Sequence, residues 1–73
     1  MGKSIYSKEY EFVLEKLKAA RVEAGLTQKN VAERLDKPQS YISKCESGER
    51  RLDIVELNKL AKLYKKPLSF FTK

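Results

Sequence analysis

Apolar residues recur along the chain at steps of three and four positions, in short stretches separated by glycine, proline and polar breaks. This spacing places apolar side chains on one face of an α-helix, and no stretch shows the strict alternation of a half-buried strand. The first predicted helix runs from about Ser7 to about Ala24, and Gly25 can adopt the left-handed conformation that ends it. Its apolar face is formed by Tyr10, Val13, Leu14, Leu17, Ala20 and Ala24.

Two shorter helices are predicted in the middle of the chain. Thr27 can cap a helix over residues 28–35, because its side-chain oxygen accepts a backbone N–H. A break at residues 36–38 separates this helix from a third one over residues 38–47, which Gly48 ends. The residues of this pair that are predicted to face inward are Val31, Ala32, Leu35, Ile42 and Cys45.

The clearest start signal for a helix lies near Asp53. Asp53 and Glu56 have the spacing of a capping box, in which each side chain accepts the backbone N–H of the other residue. Leu52 and Leu57 flank this box and can form a hydrophobic staple. The fourth helix would then bury one face, made of Leu57, Leu60, Ala61 and Tyr64.

The end of the chain predicts one more short element. Pro67 opens a final turn over residues 68–71, which is rich in large apolar side chains. Taken together, the pattern predicts an all-α fold, a compact bundle of about five short helices. We expect one domain over residues 1–73, with residues 1–6 as a candidate flexible arm.

Composition excludes several classes of function. At 73 residues the chain has room for one small core and not for a large buried substrate pocket. It has no histidine and one cysteine, Cys45, so it cannot assemble a zinc cluster or a Ser-His or Cys-His nucleophile pair. We therefore expect no enzymatic activity, no metal and no cofactor. We interpret Cys45 as a small apolar core residue, with a redox sensor as the alternative.

Charge and terminal sequence add two expectations. The net charge of +6 favours a polyanionic partner such as DNA, RNA or an acidic membrane surface. The first residues lack the apolar segment of a signal peptide, and no apolar run is long enough to span a membrane. A single cysteine also fits a reducing compartment, so we expect a cytoplasmic location.

Residues 27–48 predict two short helices joined by a tight turn, from which the second helix can project. The informative segments are Gly25-Leu26-Thr27-Gln28, Val31-Ala32-Glu33-Arg34-Leu35, Gln39-Ser40-Tyr41-Ile42-Ser43-Lys44 and Glu46-Ser47-Gly48-Glu49-Arg50-Arg51. They closely resemble the phage-repressor/Cro (XRE) family of helix-turn-helix proteins, and the resemblance covers about Leu14–Phe71. The chain departs from the family at Asp36, where members usually have glycine. Because aspartate tolerates a left-handed backbone, we expect a small loss of stability there and the same fold.

The resemblance implies a lambda-repressor-like DNA-binding domain whose helix-turn-helix covers residues 28–47, with helix three in the major groove. The positions similar to the family's base-reading sites are Gln39, Ser40 and Lys44, with Ser43 as a lesser candidate. Their chemistry is suitable, since a glutamine amide pairs with adenine and a lysine donates to guanine. The expected phosphate contacts are Thr27, Gln28, Lys29, Tyr41, Arg50 and Arg51.

The resemblance also implies a structural ion pair between Arg21 and Glu46, and a role in transcription regulation, with repression as the expected mode. We expect a homodimer on an inverted repeat, with Leu68, Phe70 and Phe71 as the candidate dimer surface. Phe70 and Phe71 fit the core equally well.

Three other functions remain open at this point. An antitoxin-like protein, which binds DNA and holds a protein partner, is the main alternative. Binding to anionic membranes is disfavoured because the apolar face of helix four is needed for the core. RNA binding is disfavoured because no aromatic platform for stacking bases is evident.

Overall fold

The computed structural model describes residues 7–72, which form four α-helices and one short 3-10 helix. The α-helices are α1 (Lys8–Glu23), α2 (Gln28–Leu35), α3 (Gln39–Ser47) and α4 (Ile54–Leu63), and the 3-10 helix is Leu68–Phe70. No strand occurs within this described part. The prediction of an all-α fold with about five short helices is confirmed, and the α-helix bounds anticipated for the first three helices differ from the observed ones by no more than one residue. The candidate arm, residues 1–6, lies outside the described residues.

Side-chain caps fix the starts of α2 and α4, whereas α3 begins after Pro38 without one. The hydroxyl oxygen of Thr27 accepts the Asn30 N–H at 3.0 Å, and Asn30 Oδ1 accepts the Thr27 N–H at 3.1 Å. Asp53 and Glu56 form the same reciprocal arrangement at the start of α4, at 2.8 and 3.1 Å. Both predicted caps are confirmed. The box at Thr27 was not anticipated, because its second member is an asparagine instead of the usual Glu or Gln.

The turn between α2 and α3 sets the orientation of α3. Asp36 adopts the left-handed conformation (φ 59°, ψ 46°) that its position in the turn requires. The N–H of Lys37 then donates to the Ala32 carbonyl at 2.9 Å, which closes the end of α2. Pro38 is extended and immediately precedes α3, and Gly48 ends α3 at φ 90°. The departure from glycine at Asp36 is therefore accommodated without a change of fold.

One hydrophobic core holds these helices together. The side chains predicted to face inward on α2, α3 and α4 are largely buried, with Leu35 half-buried. Cys45 is 1% exposed, in line with a small apolar core residue, and burial raises the pKa of its thiol. The core cluster consists of Leu17, Ala20, Val31, Ala32, Ile42, Leu57, Leu60, Ala61, Tyr64 and Phe71.

The C-terminal segment corrects one expectation. Phe71 is 0% exposed, so it belongs to the core and offers no surface to a second copy. Its inclusion in the candidate dimer surface was wrong, because the 3-10 helix folds back on α4 and the buried ring stabilises this arrangement. Leu68 and Phe70 are only half-buried. The ammonium groups of Lys16 and Lys66 lie 5.1 and 4.7 Å from the centre of the Phe70 ring.

Candidate nucleic-acid interface

The solvent-facing side of α3 is polar and continuous. Gln39, Ser40, Ser43 and Lys44 are all exposed, and their spacing places them on one face of the helix. The opposite face is anchored in the protein through Ile42, Cys45 and Glu46, which are buried. Since Glu46 is the only acidic residue of α3, the exposed face of this helix carries no negative charge.

The start of α2 adds hydrogen-bond donors. Thr27 uses its side-chain and carbonyl oxygens to accept the N–H groups of Asn30 and Val31. Within the described part of the chain, the backbone N–H groups of Gln28 and Lys29 have no acceptor, and the first turn of α2 has no acidic residue. A helix start with free N–H groups and a partial positive charge favours an anion such as phosphate.

A buried ion pair lies directly behind the start of α2. Arg21 Nε donates to Glu46 Oε2 at 2.7 Å, and Arg21 Nη2 donates to Glu46 Oε1 at 3.2 Å. The two side chains are only 15% and 4% exposed. The hydrogen bond to Glu46 raises the pKa of Arg21 despite the cost of burial, so the guanidinium stays charged. The pair expected from the resemblance is thus present between α1 and α3.

The Arg21–Glu46 pair also forms hydrogen bonds with two groups near the start of α2. Arg21 Nη1 donates to the Leu26 carbonyl at 3.0 Å, and Gln28 Nε2 donates to Glu46 Oε1 at 3.1 Å. Sequence reasoning assigned Gln28 to phosphate and Glu46 to structure, and it missed the bond between them. No spacing rule predicts that bond, because it depends on how α2 packs on α3.

A second polar network joins α3 to α4. The Tyr41 hydroxyl donates to Glu56 Oε2 at 2.9 Å, and Arg50 Nη2 donates to the same oxygen. The guanidinium of Arg50 and the ammonium of Lys37 lie 4.9 and 5.2 Å from the centre of the Tyr41 ring. Tyr41 and Arg50, both predicted to bind phosphate, are therefore held in place by contacts within the protein.

These contacts affect the titration of the groups involved. Burial raises the pKa of Glu56, but the hydrogen bonds from Asp53, Arg50 and Tyr41 outweigh burial and bring the pKa below its ordinary value. Burial and the hydrogen bond to Glu56 raise the pKa of Tyr41. Glu56 is thus ionised at neutral pH and keeps Arg50 and the Tyr41 hydroxyl oriented along the edge of α3.

The loop after α3 is also tied to α1. The guanidinium of Arg51 lies 4.8 Å from the centre of the Tyr10 ring, and the Tyr10 hydroxyl accepts the Leu52 N–H at 3.1 Å. The last turn of α3 closes locally, since the Lys44 carbonyl accepts the N–H groups of Gly48 and Arg50 at 3.1 and 3.2 Å. These hydrogen bonds hold the backbone on both sides of Arg50 and Arg51, so the positions from which the two side chains extend are fixed.

Residues 7–72 lack the features of two other kinds of site. No group of three or more Cys, Asp or Glu side chains there is arranged to hold a metal ion. Over the same residues, every helix is too short or too polar to cross a membrane.

A projecting helix whose exposed face carries no acidic residue, and the tight turn before it, define a helix-turn-helix protein. A family model described as helix-turn-helix matches residues 17–71, which covers most of the chain. The protein belongs to this family, and it is a DNA-binding regulator of the XRE type. The family is one of DNA-binding proteins and not of enzymes. No curated protein sequence matches the chain.

Proposed function

We propose that the protein is a sequence-specific transcriptional repressor that inserts α3 into the major groove of double-stranded DNA. The observation that supports this most directly is the exposed face of α3, which offers polar donors and acceptors and no carboxylate. A duplex carries dense negative charge, so a carboxylate on that face would oppose its approach. In this proposal the chain acts in the cytoplasm as one domain.

Base recognition is assigned to the first turn and the middle of α3. The amide of Gln39 can pair with N6 and N7 of adenine, and the ammonium of Lys44 can donate to O6 and N7 of guanine. Ser40 and Ser43 can each donate or accept, so they discriminate less between bases. All four side chains are exposed and make no side-chain hydrogen bond to another described residue, so they reach DNA without breaking contacts.

Phosphate contacts are assigned to both sides of the groove. On one side are the free N–H groups of α2, the Gln28 amide and the side chains of Thr27 and Lys29. On the other side are Arg50 and Arg51, whose remaining N–H groups can bind phosphate while Tyr41 and Glu56 hold Arg50. Such contacts position the protein and carry no sequence information. Tyr41 donates its only hydroxyl proton to Glu56, so it would have to release Glu56 to donate to a phosphate.

The first test of this surface is an NMR titration with a duplex obtained by binding-site enrichment. We expect the amide resonances of residues 28, 29, 39, 40, 43 and 44 to shift or broaden. Resonances of Val22 and Lys62, which are exposed on α1 and α4, serve as the matched controls and are expected to stay in place. Shifts that concentrate around Val22 or Lys62 and spare α3 would contradict the assigned surface.

We further propose that the protein binds DNA as a homodimer on an inverted repeat, with half-sites about 34 Å apart. The correction at Phe71 moves the candidate dimer surface. Phe70 is flanked by two lysine ammonium groups, which would repel those of a second copy. Ile54 and Val55, at the start of α4, are 62% and 60% exposed, and they follow the Arg50-Arg51 loop closely in the chain. We therefore assign the dimer contact to Ile54 and Val55.

Ile54→Lys is expected to raise the dimer dissociation constant at least about tenfold, because it removes apolar contact area and places two cations at the contact. Sedimentation equilibrium across a range of concentrations measures this constant. Val22→Lys is the matched control, since Val22 is 65% exposed on α1, and it is expected to leave the constant unchanged. An equally strong dimer in the Ile54→Lys variant would place the contact elsewhere.

A further inference from the structure

Glu46 has more partners than a simple ion pair requires. Its Oε2 accepts from Arg21 Nε at 2.7 Å, and its Oε1 accepts from both Arg21 Nη2 at 3.2 Å and Gln28 Nε2 at 3.1 Å. The Glu46 side chain is 4% exposed, so the acceptor of the Gln28 amide is fixed within the protein interior.

The Leu26 backbone and the Gln28 side chain, both near the start of α2, are hydrogen-bonded to the Arg21–Glu46 pair. Arg21 Nη1 donates to the carbonyl of Leu26, two residues before Gln28, at 3.0 Å. The Gln28 side chain would otherwise sample many rotamers, and a phosphate contact would have to order it at an entropic cost. The bond to Glu46 orders the Gln28 side chain in the free protein, so DNA binding does not have to order it. It occupies one N–H of the Gln28 amide and leaves the second N–H to donate.

Arg21 makes this arrangement compatible with a polyanion. Without Arg21, the Glu46 carboxylate that accepts from Gln28 would be unpaired, and its negative charge would repel an approaching phosphate. Arg21 neutralises Glu46 through two hydrogen bonds, so the group behind Gln28 is a neutral unit with a directional acceptor.

We propose that Glu46 is a positioning residue for DNA binding, which holds the Gln28 side-chain amide in the orientation that donates to a phosphate. This inference rests on the proposed function, and it adds that the ion pair acts on affinity as well as on folding. Gln28 is the group that touches DNA, and Glu46 acts through it.

A double-mutant cycle tests this role. The background variant carries Arg21→Met and Glu46→Met together, which removes both charges and replaces the pair by apolar side chains of similar size. In the otherwise unchanged protein, Gln28→Ala is expected to weaken binding to the enriched duplex about tenfold, as for a hydrogen bond to a charged group. In the Met/Met background, Gln28→Ala is expected to weaken binding less than about twofold.

Lys29→Ala is the matched control for this cycle, because Lys29 is exposed in the same helical turn and has no side-chain bond to Glu46. It is expected to weaken binding equally in both backgrounds. Equal losses for Gln28→Ala in the two backgrounds, or no loss in the unchanged protein, would overturn the positioning role. If the Met/Met variant does not fold, solvent exchange of the two Gln28 side-chain amide protons in the unchanged protein tests the positioning role without it.

A measurement without DNA separates this inference from the proposed function. In the NMR spectrum of the free protein, one of the two Gln28 side-chain amide protons is expected to exchange with solvent at least about tenfold more slowly than the other, because it is hydrogen-bonded. In the background variant both are expected to exchange at the rate of a free amide. Equal, fast exchange of the two protons in the unchanged protein would overturn the inference alone. A protein that shows the protected proton but binds no duplex would overturn the DNA-binding function, and with it the positioning role.

Discussion

Arg21→Met is expected to lower the free energy of unfolding by about 3–5 kcal/mol, because it leaves the carboxylate of Glu46 buried without its cation. The Glu46 side chain is 4% exposed, so water cannot replace the guanidinium. A domain of this size has a total stability on the order of 4–11 kcal/mol. The loss is therefore a large fraction of the total stability, although methionine preserves much of the volume of the arginine side chain.

Urea unfolding followed by circular dichroism measures this loss. Adding Glu46→Met to Arg21→Met is expected to restore most of the stability, since no buried charge then remains. Lys66→Met is the control for removing a cation from an exposed pair, because Glu23, its partner, is 59% exposed. That change is expected to cost less than about 1 kcal/mol. If Arg21→Met costs no more than Lys66→Met, the Arg21–Glu46 pair does not stabilise the fold as a buried ion pair would.

Gln39→Ala and Lys44→Ala are each expected to weaken binding to the preferred duplex by about 10- to 100-fold. Each change removes the side chain assigned to one base pair, and the backbone contacts of the rest of the protein cannot compensate for that loss. Both residues are exposed, so folding stability is expected to change by less than about 0.5 kcal/mol. Binding to a duplex of unrelated sequence should fall much less, above all for the neutral Gln39.

Fluorescence anisotropy with labelled duplexes measures both effects. Lys62→Ala is the control matched in charge, because Lys62 is exposed and lies on α4, outside the helix-turn-helix. It is expected to change the affinity by less than about threefold, through net charge alone. Lys44 would not be a base-reading residue if Lys44→Ala and Lys62→Ala weakened binding to the preferred duplex equally.

Local chemistry explains why the helices of this protein are predictable from its sequence. Thr27 and Asp53 cap their helices through side chains that act over three residues, and Gly48 and Asp36 end helices through their own backbone conformation. The apolar spacing then identifies the buried faces. Asp36 replaces the glycine that is usual in this turn. It adopts the left-handed backbone conformation all the same, so the turn forms without glycine.

Apart from the Arg21–Glu46 pair, which the family resemblance implies, side-chain hydrogen bonds between distant parts of the chain were not predicted from the sequence. The bonds of Gln28 to Glu46 and of Tyr41 to Glu56 join residues 18 and 15 positions apart, and they exist only after α2, α3 and α4 have packed. Apolar character alone also could not tell core from surface near the C-terminus. Phe71 is buried although its neighbour Phe70 is half-buried, because the 3-10 helix presents them in different directions.

Sequence-specific binding to double-stranded DNA is the central claim, and a comparison of two duplexes tests it most directly. Anisotropy titrations would use the enriched duplex and a shuffled duplex of the same composition, each at two salt concentrations. We predict that the protein binds the enriched duplex at least about a thousandfold more tightly than the shuffled duplex. We also predict that its affinity for both duplexes falls steeply as the salt concentration rises. Equal affinity for the two duplexes would contradict the claim.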